Sequence, residues 1–392
     1  MSSERRVAEG RIAWTRRHMP VLVETIAEFT AEKPFEGMTV GFRLHLEPKT
    51  AVLIEALLAG GAEVIAMGNE GTTQFGTAEV LSSQGCKVLD RQGQGPEATA
   101  AHLSRIASAG PDLVLDNGAE LIGACLDSAS PPVGATEETT SGGFRLREDY
   151  TGQVGFPVIV INDSPLKSIV ENKHGVGESV VDTIVRVTNM SLHKKRVVVY
   201  GYGWCGRGIA LYAHRRGADV TVVEIDPIKA LEAAMDGFEV AEHSVAPARA
   251  EVVITATGRP GVVDYTAIEQ MPDGVLLANA GHVDTEIDIR RLEHQAPGAE
   301  LSPSLKRHEL PNGKSAFCIA EGRIVNLAAH GGIGNPIEAM DLGLTLQARS
   351  LAALVDPSYD LSPGPQPVPD TVNTRIATAM LHSMGQLGRS AT

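Results

Sequence analysis

The segment 196–227, RVVVYGYGWCGRGIALYAHRRGADVTVVEIDP, carries the residues whose types and spacing are most specific to one chemistry. An apolar run ending at Tyr200 enters Gly201-Tyr202-Gly203-Trp204-Cys205-Gly206 directly, and a helix-like segment follows. G-x-G-x-x-G between a strand and a helix cradles a pyrophosphate: Gly201 permits the tight turn, Gly203 lets the backbone approach the phosphates, and Gly206 lets helix and strand pack closely. The free N–H groups at the start of that helix face the phosphate charge. A second β-branched run ends on Glu224. A carboxylate there grips the ribose hydroxyls of an adenosine and repels a 2′-phosphate. The segment therefore predicts a bound dinucleotide, NAD in preference to NADP. Thr257, in the TATG run after the next strand, is a further expected cofactor contact.

Strand and helix patterns that could position these residues alternate along almost the whole chain. Before the fingerprint, strands are expected at 38–42, 62–67, 87–89, 112–115 and 157–161, with helices between them, for example 49–59 and 97–107. An amphipathic segment, 178–190, leads into the fingerprint, and strands at 196–200, 219–223, 251–255 and 275–278 build the nucleotide domain. The fold class is α/β, with two doubly wound parallel-sheet domains. The expected divisions are 1–177, completed by about 335–356, then 178–334, then a C-terminal tail, 357–392. The crossings fall at two glycine-rich stretches, His174-Gly175-Val176-Gly177 and His330-Gly331-Gly332-Ile333-Gly334, which suit hinges.

Composition agrees with a soluble enzyme. At 392 residues the chain is long enough for two or three domains. No apolar run approaches the ~20 residues that span a bilayer, and the charged N-terminus has no apolar signal core. The four cysteines are scattered and form no C-x-x-C pair, so no zinc site, other metal site or disulfide framework is expected. A net charge of −14 argues against a nucleic-acid partner. A cytoplasmic protein without membrane contact is expected.

The motifs LHLEPKTAVLIEALLAGGAEV, EETTSG, INDSPLKSIVEN, GYGWCGRG, EIDPIKALEAAMDGFEV, ANAGHVDTEID and IAEGRIVNL, in this order and spacing, resemble the S-adenosylhomocysteine hydrolase family over essentially the whole chain. LHLEPKT, GYGWCGRG and the LSPGPQPVP tail are most similar to its shorter branch, found largely in archaea and some bacteria. The resemblance implies a substrate domain, a Rossmann NAD domain and a small C-terminal segment, assembled as a homotetramer that acts on a small nucleoside. The implied chemistry uses tightly held NAD without net redox change. The nucleoside 3′-hydroxyl is oxidised, the C4′ proton becomes acidic, the 5′ substituent is expelled, water adds at C5′, and the hydride returns.

Carried over residue by residue, the resemblance makes Lys167 the acceptor of the 3′-hydroxyl proton and Glu138 the carboxylate that binds the ribose hydroxyls. A lysine performs that role only where burial or a nearby cation favours its neutral form. Thr139, Thr140 and Ser141 match hydroxyls that contact NAD. Asn162 and Asn172 match site asparagines near the lysine and the nicotinamide, and Asn326 matches a nicotinamide-amide contact. His45 and His282 match the two histidines beside the reacting 4′ and 5′ positions. Taken singly these residues have ordinary readings: a solvated Lys or Glu, a turn or helix cap at Asn162-Asp163-Ser164, a polar strand end for either histidine. Their joint placement in seven motifs assigns them to a site.

The departures are as specific. Asn117 stands where the family has the second Asp of DDG, and an amide cannot take up a proton. Glu171 replaces an Asp, Phe75 replaces the Asp of STQD, and Asn335 replaces the His of GHP by the purine and the access gate. Glu47 and Lys49 replace base-contacting residues of the longer branch. Oxidation at C3′ and proton loss at C4′ keep their groups, whereas water addition at C5′ loses a carboxylate typically worth 10²–10⁴-fold. The leading expectation is therefore a divergent member acting as a nucleoside hydro-lyase, expelling water and releasing a 4′,5′-unsaturated nucleoside in nucleoside secondary metabolism. The alternatives are a hydrolase of S-adenosyl-L-homocysteine or S-inosylhomocysteine, and an NAD-binding pseudoenzyme regulator. The retained Lys167, Glu138 and His282 speak against the last.

Overall fold

The computed structural model describes residues 3–69, 72–89, 95–128 and 130–387. The strands, in chain order, are β1 (Thr39–Arg43), β2 (Glu63–Met67), β3 (Lys87–Val88), β4 (Leu113–Asp116), β5 (Gly134–Glu137), β6 (Pro157–Val160), β7 (Arg196–Tyr200), β8 (Asp219–Val223), β9 (Glu239–Val240), β10 (Val252–Thr255), β11 (Val275–Asn279), β12 (Ala299–Ser302), β13 (Leu305–Glu309), β14 (Ser315–Ile319) and β15 (Gly364–Pro367). The chain divides into two compact units, one of Met1–Ser168 with Ile337–Thr392, the other of Ile169–Pro336.

The first unit holds a seven-stranded sheet in the order β15-β6-β5-β4-β1-β2-β3. All its pairings are parallel. β1 runs outward through β2 and β3, and the chain then returns to β1's other side as β4, β5 and β6. This reversal makes a switch point between β1 and β4, and open α/β sheets bind ligands at the carboxyl ends of strands at such a point. Helices on the faces of a parallel sheet bury its strands on both sides, and β4 and β5 are buried along their whole length.

The second unit repeats the plan. Its eight strands run β12-β13-β14-β11-β10-β7-β8-β9, with the reversal between β7 and β10. The antiparallel pairings, β12 with β13 and β13 with β14, lie at one edge. The fingerprint strand β7 lies at the centre, between β8 and β10. Val197 and Val199 join the apolar side chains of the helices Val176–Thr188 and Trp204–Arg215 in one core, and Val198 and Tyr200 join a second.

The structure alters three details of the sequence reading. The units divide near 168 rather than 177, and Gly175 and Gly177 do not form a loop, since the π-helix Lys167–Gly175 runs straight into Val176–Thr188. Gly177 serves packing. A Cβ on Gly177 would meet the backbone of Gly208, and one on Gly208 would meet the carbonyl of Lys173, so the two helices touch main chain to main chain. The Pro-rich tail does not stand apart, since β15 pairs with β6 inside the first unit. Proline is tolerated there because β15 is an edge strand. Finally, β5 was not expected, since GATE shows neither apolar alternation nor a β-branched run.

Candidate functional site

Within the first unit, the expected residues stand beyond the carboxyl ends of the parallel strands. His45, Glu47 and Lys49 follow β1, Asn117 follows β4, Glu138 to Ser141 follow β5, and Asn162 lies in the 3-10 turn after β6. Glu47 caps the helix Pro48–Ala59 through a capping box with Thr50. Its carboxylate lies 3.2 Å from the buried Lys49 amine. Burial pushes the Glu47 carboxyl up, and Lys49 opposes that shift.

Asn117, Glu138 and Lys167 come together. The Asn117 side-chain amide donates to Glu138 Oε2 at 2.6 Å, and Lys167 Nζ lies 3.5 Å from Glu138 Oε1. Lys167 is 5 % exposed and Glu138 8 %, so the amine and the carboxylate face each other out of bulk water. A carboxylate accepts and a lysine amine donates, so this pair can bind a sugar hydroxyl from both sides; the hydroxyl proton can pass to the amine only in its neutral form. Thr139 caps the helix Thr140–Arg147 by accepting from the Gly142 N–H, and its hydroxyl lies 3.1 Å from that of Ser141.

Sequence reasoning missed the groups that hold this cluster. Glu137, the last residue of β5, is fully buried. Its carboxylate accepts from the N–H groups of Gly118 (2.9 Å), Ala119 (2.8 Å) and Thr139 (2.7 Å). Burial, then the neighbouring Asp116, push the Glu137 carboxyl up to about 8. Arg43, at the end of β1, donates to the Asn117 carbonyl and to Glu120 (2.7 Å) and lies 3.4 Å from Asp116. Asn69, just past β2, donates to Asn117 Oδ1 at 2.8 Å. The available signal for Arg43 was a charged residue closing an expected buried strand; Glu137 and Asn69 gave none.

In the second unit, each fingerprint glycine meets a distinct demand. Gly201 has φ +94°, a left-handed turn that disfavours a side chain. A Cβ on Gly206 would run into the Gly201 carbonyl, whereas a Cβ on Gly203 would meet nothing within 4 Å. The helix therefore sits against the turn, and the backbone at Gly203 lies open to a ligand. Glu224 directly follows the next strand, and its carboxylate accepts from the N–H groups of Tyr202 (2.6 Å), Ile225 (2.8 Å) and Asp226 (2.9 Å). Thr257 donates its hydroxyl to the fully buried Glu286 at 2.7 Å. His282 is exposed on the turn after β11, and buried Asn279 secures that turn by donating to the carbonyls of Gly281 and Val283. Asn326 donates to Ser179 at 2.9 Å and lies 3.4 Å from Asn335, whose amide lies 3.5 Å from Glu171. Asn172 occupies the π-helix. Such helices are rare and concentrate at functional sites. Among the described residues, no cluster of His, Cys, Asp or Glu is arranged to hold a metal, and no helix is long and apolar enough to cross a membrane.

Comparison with known proteins identifies the family. Residues 3–130 match the S-adenosyl-L-homocysteine hydrolase family, and residues 172–332 match that family's NAD binding domain. An S-inosyl-L-homocysteine hydrolase of Methanopyrus kandleri is 45 % identical over 95 % of this chain and 90 % of its own length. An adenosylhomocysteinase of Thermotoga maritima is 41 % identical over 96 % of this chain and 95 % of its own. Among solved structures, a dipicolinate synthase of Bacillus halodurans shares the fold, with a TM-score of 0.54 at 14 % identity over 81 % of this chain and 99 % of that one. The chain belongs to the S-adenosyl-L-homocysteine hydrolase family and is an NAD-dependent enzyme of its kind.

Proposed function

We propose that this enzyme hydrolyses the 5′-thioether of a purine nucleoside joined to homocysteine, S-adenosyl- or S-inosyl-L-homocysteine, releasing the nucleoside and homocysteine. The observation that carries the reading is the buried Lys167–Glu138–Asn117 group at the strand ends of the first unit. Full-length similarity to hydrolases of both compounds supports it over elimination to an unsaturated nucleoside. The family resemblance further supports a cytoplasmic homotetramer.

Gly201, Gly203 and Gly206 would hold the pyrophosphate of NAD, and Glu224 its adenosine ribose, with Thr139, Thr140, Ser141, Asn172, Thr257 and Asn326 as further contacts. When bound, NAD supplies reversible hydride acceptance at the sugar C3′. The chain's own residues do the rest. Glu138 accepts the ribose hydroxyls and Lys167 takes the 3′-hydroxyl proton. His282 and His45 serve the C4′ proton and the 5′ sulfur. Asn117 cannot supply a proton, so protonation of the leaving thiolate and deprotonation of the incoming water fall to His45. Glu47 and Lys49 at the base, Asn162 and Glu171 near the lysine, and Asn335 near the purine complete the site.

The first test is optical. Adenosine or inosine added to the NAD-loaded protein is expected to raise the reduced-nicotinamide absorbance. Lys167→Ala should keep its NAD and lose that signal by 10²-fold or more. A Lys167→Ala protein that reduces its cofactor at the parent rate contradicts the assignment.

A further inference from the structure

The polarity of the Asn69–Asn117–Glu138 chain is fixed from one end. Glu138 can only accept, so Asn117 must turn its amide nitrogen to it. Asn117 Oδ1 then faces away, and Asn69 meets it with its own amide nitrogen at 2.8 Å. That leaves Asn69 Oδ1 pointing elsewhere. Among the described residues it is a buried acceptor with no hydrogen-bond partner. Buried polar groups in native proteins are nearly always satisfied, and the exceptions call for an explanation. The Asn69 backbone is itself held, since its carbonyl accepts from the N–H (3.0 Å) and the hydroxyl (2.7 Å) of Thr72. A residue kept in place at the cost of one unsatisfied oxygen is spending stability on its other contact. Rules of local satisfaction are broken mainly at functional sites.

We propose that Asn69 is a positioning residue of the nucleoside site, acting through Asn117 on Glu138. Its amide anchors Asn117 Oδ1, and this holds the Asn117 nitrogen on one Glu138 oxygen while Lys167 faces the other. Asn69 itself need not touch the substrate. The proposal rests on the reading of Glu138 and Lys167 as the groups that handle the ribose.

Two substitutions separate this role from a structural one. Asn69→Ala removes the donor and the unsatisfied acceptor together. Asn69→Asp keeps the shape but presents only acceptors to Asn117, so it competes with Glu138 for the Asn117 amide nitrogen. The readouts are the melting temperature, the bound NAD, and the rate at which adenosine or inosine reduces that NAD. We expect parental melting temperature and NAD content in Asn69→Ala, with reduction slowed roughly 10-fold, and a further loss of several-fold in Asn69→Asp. Combined with Asn117→Ala, Asn69→Ala should add little, because both act on the same contact. Reduction at the parent rate in both Asn69 variants overturns the proposal. So does a loss that follows the melting temperature alone, or one that adds fully to that of Asn117→Ala. If the parent protein itself shows no reduction with either nucleoside, the functional reading fails instead.

Discussion

Asn117 changes meaning between sequence and structure. In the sequence it is an absent acid; in the fold it is a donor to Glu138, at 2.6 Å. Asn117→Asp would set a second carboxylate against the first, and two carboxylates at that distance cannot both ionise. One of them must then hold a proton. The variant's activity should therefore acquire a pH dependence the parent lacks, with hydrolysis falling about 10-fold as the pH rises through the upper pKa of the pair. Rate profiles from pH 6 to 9 that superimpose for parent and variant contradict this picture. The fingerprint glycines were legible because their demands are local: a left-handed turn at Gly201 and a close approach at Gly206. Asn69 and Glu137 were not, because nothing near them in the sequence shows that they meet Asn117 and the turns beside it.

Helix ends show the same difference between local and distant information. The helix Pro20–Glu32 begins at a proline and has no capping side chain of its own. Its first free N–H groups, those of Val21 and Leu22, donate to Asp341 at 3.0 and 2.8 Å. Asp341 belongs to the helix Ile337–Ala353, far along the chain, so no sequence pattern marks it as a cap. Burial pushes its carboxyl up to about 6. Folded protein thus keeps this proton where the unfolded chain, near the ordinary 3.8, has released it. The stability tied to it is full below about pH 3.8 and is lost as the pH rises through about 6. At ~1.4 kcal/mol per pKa unit the change is of order 3 kcal/mol. Melting curves from pH 4 to 7 should show a smaller loss in Asp341→Asn than in the parent; equal losses would remove Asp341 from the account. The tail strand β15 escaped the sequence reading for a related reason. Its prolines read as coil, and only the free edge of β6 makes them a strand.

At the scale of the whole molecule, the chain builds one topology twice. Both sheets reverse direction beside their first strand, and both gather their candidate residues beyond carboxyl ends: His45, Asn117 and Glu138 in one unit, the fingerprint and Glu224 in the other. The alternating pattern of strands and helices made this class legible, since most expected strands overlap those observed to within a residue or two. The short β5 and β9 and the run β12, β13 and β14 fell outside it. The central claim is that this frame hydrolyses a nucleoside thioether, although Asn117 stands where an acid is expected. The most direct measurement is mass spectrometry of the products formed from S-adenosyl- and S-inosyl-L-homocysteine by the NAD-loaded protein, with thiol release followed in parallel. The account predicts homocysteine and an intact nucleoside, in equal amounts, from at least one of the two. Accumulation of a 4′,5′-unsaturated nucleoside, or no cleavage of either thioether, would contradict it.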